Sequence, residues 1–135
     1  GLSVNQRVIT RGYHTINDGM GWNYIIKAGS GDGYTTHSIS DGLVAVPMMI
    51  GGKYYAGVCG FTNVDDTLRF KSLNEYVESL GGGVIDTTGC EMTFVTKLSE
   101  NYVFQTYSNV TWWCDGLGTW NYENENKNRP ENKIK

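Results

Sequence analysis

Two short pairs, Asp41-Gly42 and Gly51-Gly52, constrain this chain more than anything else in it, because each stands between runs that read as strands. Tight hairpin turns need positive φ, which Gly reaches freely and Asp tolerates better than most residues. The pairs predict an antiparallel meander of residues 34–40, 43–50 and 53–59. Taken as two-residue loops, they place Ile39 opposite Val44, His37 opposite Val46, Ile50 opposite Lys53 and Met48 opposite Tyr55. The middle strand is then apolar on both sides, so both faces are expected to be covered by a second sheet, a loop or a neighbouring subunit. Pro47 cannot donate to a ladder, and a local break is expected there.

Upstream, residues 2–10 and 22–27 read as extended segments separated by a turn at Asn17-Asp18-Gly19. Gly29-Ser30-Gly31-Asp32-Gly33 reads as a loop, without the Lys-Ser/Thr that a phosphate cradle requires. Downstream, Ser72 and Glu75 have capping-box spacing, Leu73, Tyr76, Val77 and Leu80 share a helical face, and Gly81 suits a left-handed end. That pattern predicts one short helix near 72–80, preceded by a loop over 61–68 with Asp65 and Asp66 exposed. A second hairpin is expected from 90–98 and 101–108, with 110–113 extending its sheet. The fold class is therefore all-β, mainly an antiparallel β-sandwich with one short helix. It forms a single domain over 1–121, followed by a polar, flexible tail over 122–135.

Composition narrows the function classes. The formal charge is −3 and Lys and Arg are nowhere concentrated, so nucleic acid is not an expected partner. No apolar run reaches the roughly 20 residues of a membrane helix, and no membrane insertion is expected. A chain opening on Gly1 rather than Met is expected to derive from a larger parent. Cys59, Cys90 and Cys114 lack C-x-x-C spacing and nearby His, which argues against zinc. They read as small buried hydrophobes, with one bridge among the three left open. No metal and no cofactor is expected. Asn109-Val110-Thr111 matches the glycosylation acceptor pattern.

His14 and His37 are the only histidines, and the motifs of nucleophilic or metal-assisted hydrolysis are missing. No catalytic residue is assigned. Asp32, Asp41, Asp65, Asp66, Asp86, Glu91 and Asp115 could supply the paired carboxylates of a glycosidase, but their separation is a property of the fold. The aromatic residues are more informative. Trp112 and Trp113 are consecutive and must point to opposite faces of a strand, so one of them should face solvent, a ligand or a subunit. Exposed Trp and Tyr suit stacking on sugar rings. The candidate ligand-binding residues are Trp112, Trp113, Trp120, Trp22 and Tyr54, with Asp32 and Asp115 in loops.

Gly1-Leu2-Ser3-Val4 followed by Val8-Ile9 is similar to the Gly-Leu-x-hydrophobic shaft repeat that leads into a viral fibre head. The remainder resembles, in its Gly- and aromatic-rich character, the C-terminal modules of phage tail fibres and adenovirus fibres. That resemblance implies a homotrimeric β-sandwich at a fibre tip, on the virion surface or extracellular, without enzymatic activity. Its loops would recognise a host cell-surface receptor or glycan. The competing readings are a monomeric carbohydrate-binding module of a secreted protein, a small glycan-active hydrolase using Asp or Glu with His37, and a purely structural capsid or tail component.

Overall fold

The computed structural model describes residues 1–96, 107–114 and 119–124. Its first half is an antiparallel sheet of β1 (Arg7–Ile9), β2 (Asn23–Ala28), β3 (His37–Ile39) and β4 (Leu43–Pro47), in the order β1-β2-β4-β3. Asp41 and Gly42 both take positive φ, but Ser40 joins them in a three-residue turn. Ile39 therefore pairs with Leu43 and His37 with Ala45, one residue out of the register expected from a two-residue loop. Because side chains alternate along a strand, that slip moves every partner to the other face. It puts His37 on the side of Ala45, which also pairs with the buried Ile26. β4 ends at Pro47, which pairs with Tyr24, and the next residue, Met48, still donates its N–H to the Asn23 carbonyl at 3.0 Å.

Gly51 and Gly52 do form a tight two-residue turn, with Ile50 and Lys53 exchanging backbone hydrogen bonds of 2.9 and 3.1 Å. The ladder stops at that single bridge. β5 (Lys53–Tyr55) leaves the meander, and residues Ala56–Cys59 wind into a buried 3-10 turn rather than continuing as strand. Helix α1 (Thr67–Ser79) then crosses over and returns the chain to β6 (Gly83–Asp86), which runs parallel to β5. Crossovers of this kind are how parallel strands are connected.

From there the chain visits two parallel sheets alternately. β6 leads to β7 (Glu91–Thr96), β8 (Val110–Trp113) pairs back onto β6, and β9 (Thr119–Asn124) pairs back onto β7. Gly83 lies beside Val110 and Glu91 beside Thr119, so the chain winds as a solenoid coil with a repeat of about 27 or 28 residues. The protein is thus built mostly of strands with one helix, but in mixed antiparallel and parallel sheets. The expected antiparallel sandwich is corrected accordingly. Of the expected second hairpin, residues 97–106 lie outside the described residues, and the strand at 91–96 has a parallel partner instead. Of the tail expected over 122–135, residues 122–124 belong to β9 and the rest lies outside the described residues.

The helix is longer than its capping-box pattern implies. It starts at Thr67, and Ser72 sits mid-helix with its hydroxyl turned to Asp32 and Thr35. Asp65 Oδ1 accepts the Thr67 N–H at 3.2 Å, which serves the helix start from one residue before the cap position. Phe70, Leu73 and Val77 are buried, and each apolar side chain of this size contributes about 1.5–3 kcal/mol when removed from water. They meet Tyr54, Val58, Ile85, Met92 and Phe94 in the core shared by the coil and the crossover turn. Tyr24 of the antiparallel sheet belongs to the same core, so the two halves are continuous.

Asp66 is the sharpest departure from the expected exposed acidic pair, since it has no exposed surface. Its carboxylate accepts N–H groups from Thr62 and Asn63, each at 2.8 Å, and from Thr93 at 3.2 Å. Its own N–H donates to the Thr93 carbonyl at 2.7 Å. A carboxylate with this many donors replaces its lost hydration, and so it can be buried as a staple between the loop and β7.

Candidate functional site

Alternation along the coil sorts the neighbouring tryptophans. Tyr54, Ile85 and Trp112 share one register row on the helix side, whereas Tyr55, Asp86 and Trp113 share the next row on the other side, where Trp113 is exposed and Tyr55 is half-buried against the core. Trp112 packs 5.1 Å from the Phe70 ring and donates its indole N–H to Asn74 Oδ1 at 2.6 Å. Trp113 is 43% exposed. The Lys53 ammonium rests 3.9 Å from its ring centroid, having reached across β6 to do so. Tyr54 is only 5% exposed and fills the core.

Trp22 packs at the margin of the core. Its ring lies 5.6 Å from that of Tyr55, and its indole N–H donates to the Met48 carbonyl at 2.7 Å. Tyr55 in turn donates its hydroxyl to the Thr88 carbonyl at 3.1 Å, and burial pushes its phenol well above the usual range. Beside Tyr55 opens a cleft of about 420 Å³. Asp18, Gly19 and Met20 wall it from the β1–β2 connection, Phe61, Thr62 and Asn63 from the loop before α1, and Gly89, Cys90 and Glu91 from the turn into β7. Mixed apolar and polar linings of this size suit small ligands.

Asp18 is fixed in that wall by four backbone donors. Its carboxylate accepts N–H groups from Tyr13, His14, Thr15 and Met20, the shortest at 2.7 Å. Slight desolvation works against the charged form, but these hydrogen bonds outweigh it and hold the pKa down at about 2. Asp18 is therefore ionised throughout the physiological range. Glu91, exposed on the opposite wall, is the other carboxylate of the cleft.

Asp32 lies away from the cleft and organises its own loop. It accepts N–H groups from Tyr34, Thr35 and Thr36 at 2.9–3.2 Å and the hydroxyl of Ser72. Desolvation opposes ionisation, yet the Ser72 hydroxyl and the loop amides carry its pKa below the usual carboxylate value. His37 Nε2 lies 2.8 Å from the Val58 carbonyl, and His14 Nε2 lies 3.0 Å from that of Gly60. Both imidazoles are thereby engaged with the crossover turn. Cys59 and Cys90 are buried, and burial pushes the Cys59 thiol up to about 12. No group of acids, histidines and cysteines among the described residues could hold a metal ion. The Trp120 side chain and Asp115 lie outside the described residues.

The structure thus leaves Trp113 exposed, packs Trp22 against Tyr55 at the margin of the core, and turns Tyr54 and Trp112 inward. Sequence reasoning missed Lys53, Asp18 and Asn63 as parts of this region. The turn signal Asn17-Asp18-Gly19 was visible, but nothing local says that its carboxylate walls a cleft with residues more than 70 positions away.

No family model matches this sequence, and no curated protein does. Among solved structures, the fold is similar to that of the tailspike protein gp49 of Acinetobacter baumannii bacteriophage Fri1, a capsular polysaccharide depolymerase. The likeness has a TM-score of 0.61 at 19% identity, and it covers 84% of this chain but 20% of that one. The chain thus spans about a fifth of the tailspike's length, and what the two share is a fold. The expectation of a chain without enzymatic activity is corrected by this comparison, because the phage tail protein that the fold resembles is an enzyme. No helix among the described residues is long and apolar enough to cross a membrane.

Proposed function

We propose that this chain is part of a phage tail protein that binds and degrades a polysaccharide of the bacterial surface. The observation that carries the reading is the likeness in fold, over 84% of this chain, to a capsular polysaccharide depolymerase. A homotrimeric, virion-borne assembly belongs to the same proposal. The surface chemistry supports it, since Tyr55 lines a cleft with Asn63, Asp18 and Glu91, and the exposed Trp113 stands beside Asp86. Sugars are recognised by such pairings of flat apolar faces with acceptors and donors. Trp120 and Asp115 remain candidate contacts, Trp112 and Tyr54 support the sheet from the core, and Asp32 holds a separate loop.

Cleavage of a glycosidic bond by hydrolysis takes two carboxyl groups across the scissile linkage. The cleft supplies Asp18, held ionised, and Glu91 on the facing wall. Incubating the protein with a panel of bacterial capsular polysaccharides, and measuring both binding and the release of reducing ends, tests the reading. Glu91→Gln is expected to lower reducing-end release at least about tenfold while leaving binding in place. A folded protein that retains none of the panel would defeat the proposal.

A further inference from the structure

We infer that Lys53 and Trp113 form a subsite for an acidic sugar residue, a hexuronate or another carboxylated monosaccharide, within the polysaccharide proposed above. The inference rests on that functional reading and adds the charge of the substrate to it.

Its basis is the placement of an ammonium group. Lys53 follows the Gly51-Gly52 turn and begins β5, where the acid nearest along its sheet face is Asp86 on the neighbouring strand β6. Among the described residues no carboxylate lies within 4.0 Å of Lys53, and its partly buried side chain passes over β6 to settle on the Trp113 ring of β8. Asp86 meanwhile spends one oxygen on Thr88, accepting its N–H at 2.9 Å and its hydroxyl at 2.5 Å. The ring's quadrupole holds the ammonium in place but takes none of its N–H donors, which are left to meet an anion.

The indole is partly exposed, and the part of it that the ammonium leaves uncovered gives an apolar surface for the C–H face of a pyranose. A carboxylated sugar matches both features at once, its carboxylate meeting Lys53 and its ring meeting Trp113. The Asp86 carboxylate, in the same row, is placed to accept a sugar hydroxyl. A neutral sugar would use the indole and leave the ammonium unanswered.

The test uses the whole chain and a panel of capsular polysaccharides, some with hexuronate residues and some neutral. Each polysaccharide that binds is measured again after carbodiimide and borohydride reduction of its carboxyl groups. The binder is expected to be acidic, and carboxyl reduction should weaken it about tenfold or more, the size of one charge-assisted hydrogen bond. Lys53→Met, which keeps the aliphatic stem over Trp113, should reproduce that loss on the native polysaccharide and have no effect on the reduced one. Lys53→Arg should retain binding. Near-ultraviolet circular dichroism confirms that each variant is folded. Binding to neutral polysaccharides alone, binding indifferent to carboxyl reduction, or a Lys53→Met variant equal to the parent overturns the inference and leaves the polysaccharide reading standing. Binding to no member of the panel removes both.

Discussion

Single carboxylates organise this protein more than ion pairs do. Asp18, Asp32 and Asp66 each gather several N–H donors, whereas the ion pairs among the described residues are both local to the helix region. Asp66 is buried, so Asp66→Ala would leave the Thr62, Asn63 and Thr93 amides without their acceptor. Each such loss costs about 1–3 kcal/mol, and a total destabilisation of about 3 kcal/mol or more is expected in urea denaturation. Asp18 makes the complementary prediction in pH. Its folded pKa is depressed to about 2 from a reference of 3.8, so its contribution is complete above pH 4 and is lost as pH falls through 2. A carboxyl carbon-13 titration should find Asp18 still ionised at pH 3, with the 13–20 loop releasing only near pH 2. Asp18→Asn should abolish that transition.

At the scale of elements, a polar contact between helix and coil lies inside an apolar core. Asn74 donates its amide to the Phe70 carbonyl at 2.7 Å and accepts the Trp112 indole N–H at 2.6 Å. Asn74→Leu keeps the volume but removes this acceptor, which should cost about 1–3 kcal/mol by thermal unfolding. The helix exit is equally specific. Gly82 has φ of 103° and a Cβ there would come within 2.4 Å of the Asn109 backbone oxygen, so Gly82→Ala combines strain with a collision. Its melting temperature should fall further than that of Gly19→Ala, whose Cβ would meet open space. The glycine-rich exit was legible in the sequence. The true start of α1 was not, because Asp65 caps from outside the usual position and the capping-box serine faces another loop.

The whole molecule is held together where the chain passes from the antiparallel sheet to the coil. Residues 56–59 are buried, and His14 and His37 reach the carbonyls of Gly60 and Val58 from different parts of the sheet, with Tyr13 edge-on to both rings. Sheet and coil should therefore unfold in one transition. Calorimetry of the His14→Ala/His37→Ala double variant is expected to broaden or split that transition, while a single sharp peak would deny the histidines this coupling role. The cleft shares the same dependence. Tyr55 is packed by Trp22 from the sheet and lines a cleft with Glu91 from the coil.

The sequence by itself determined what is local. Positive-φ turns, the presence of a helix and the division of Trp112 from Trp113 all follow from backbone sterics and strand alternation acting over a few residues. Only the tertiary structure decided which strands pair. A single residue in the turn at 40–42 reversed the partners of β3 and β4, and a helical crossover replaced an antiparallel ladder with a parallel coil. Long-range pairing is selected by the joint burial of Tyr54, Ile85, Phe94 and the helix face, a sum over distant positions that no short window contains. The cleft between Asp18 and Glu91 and the meeting of Lys53 with Trp113 exist for that reason alone.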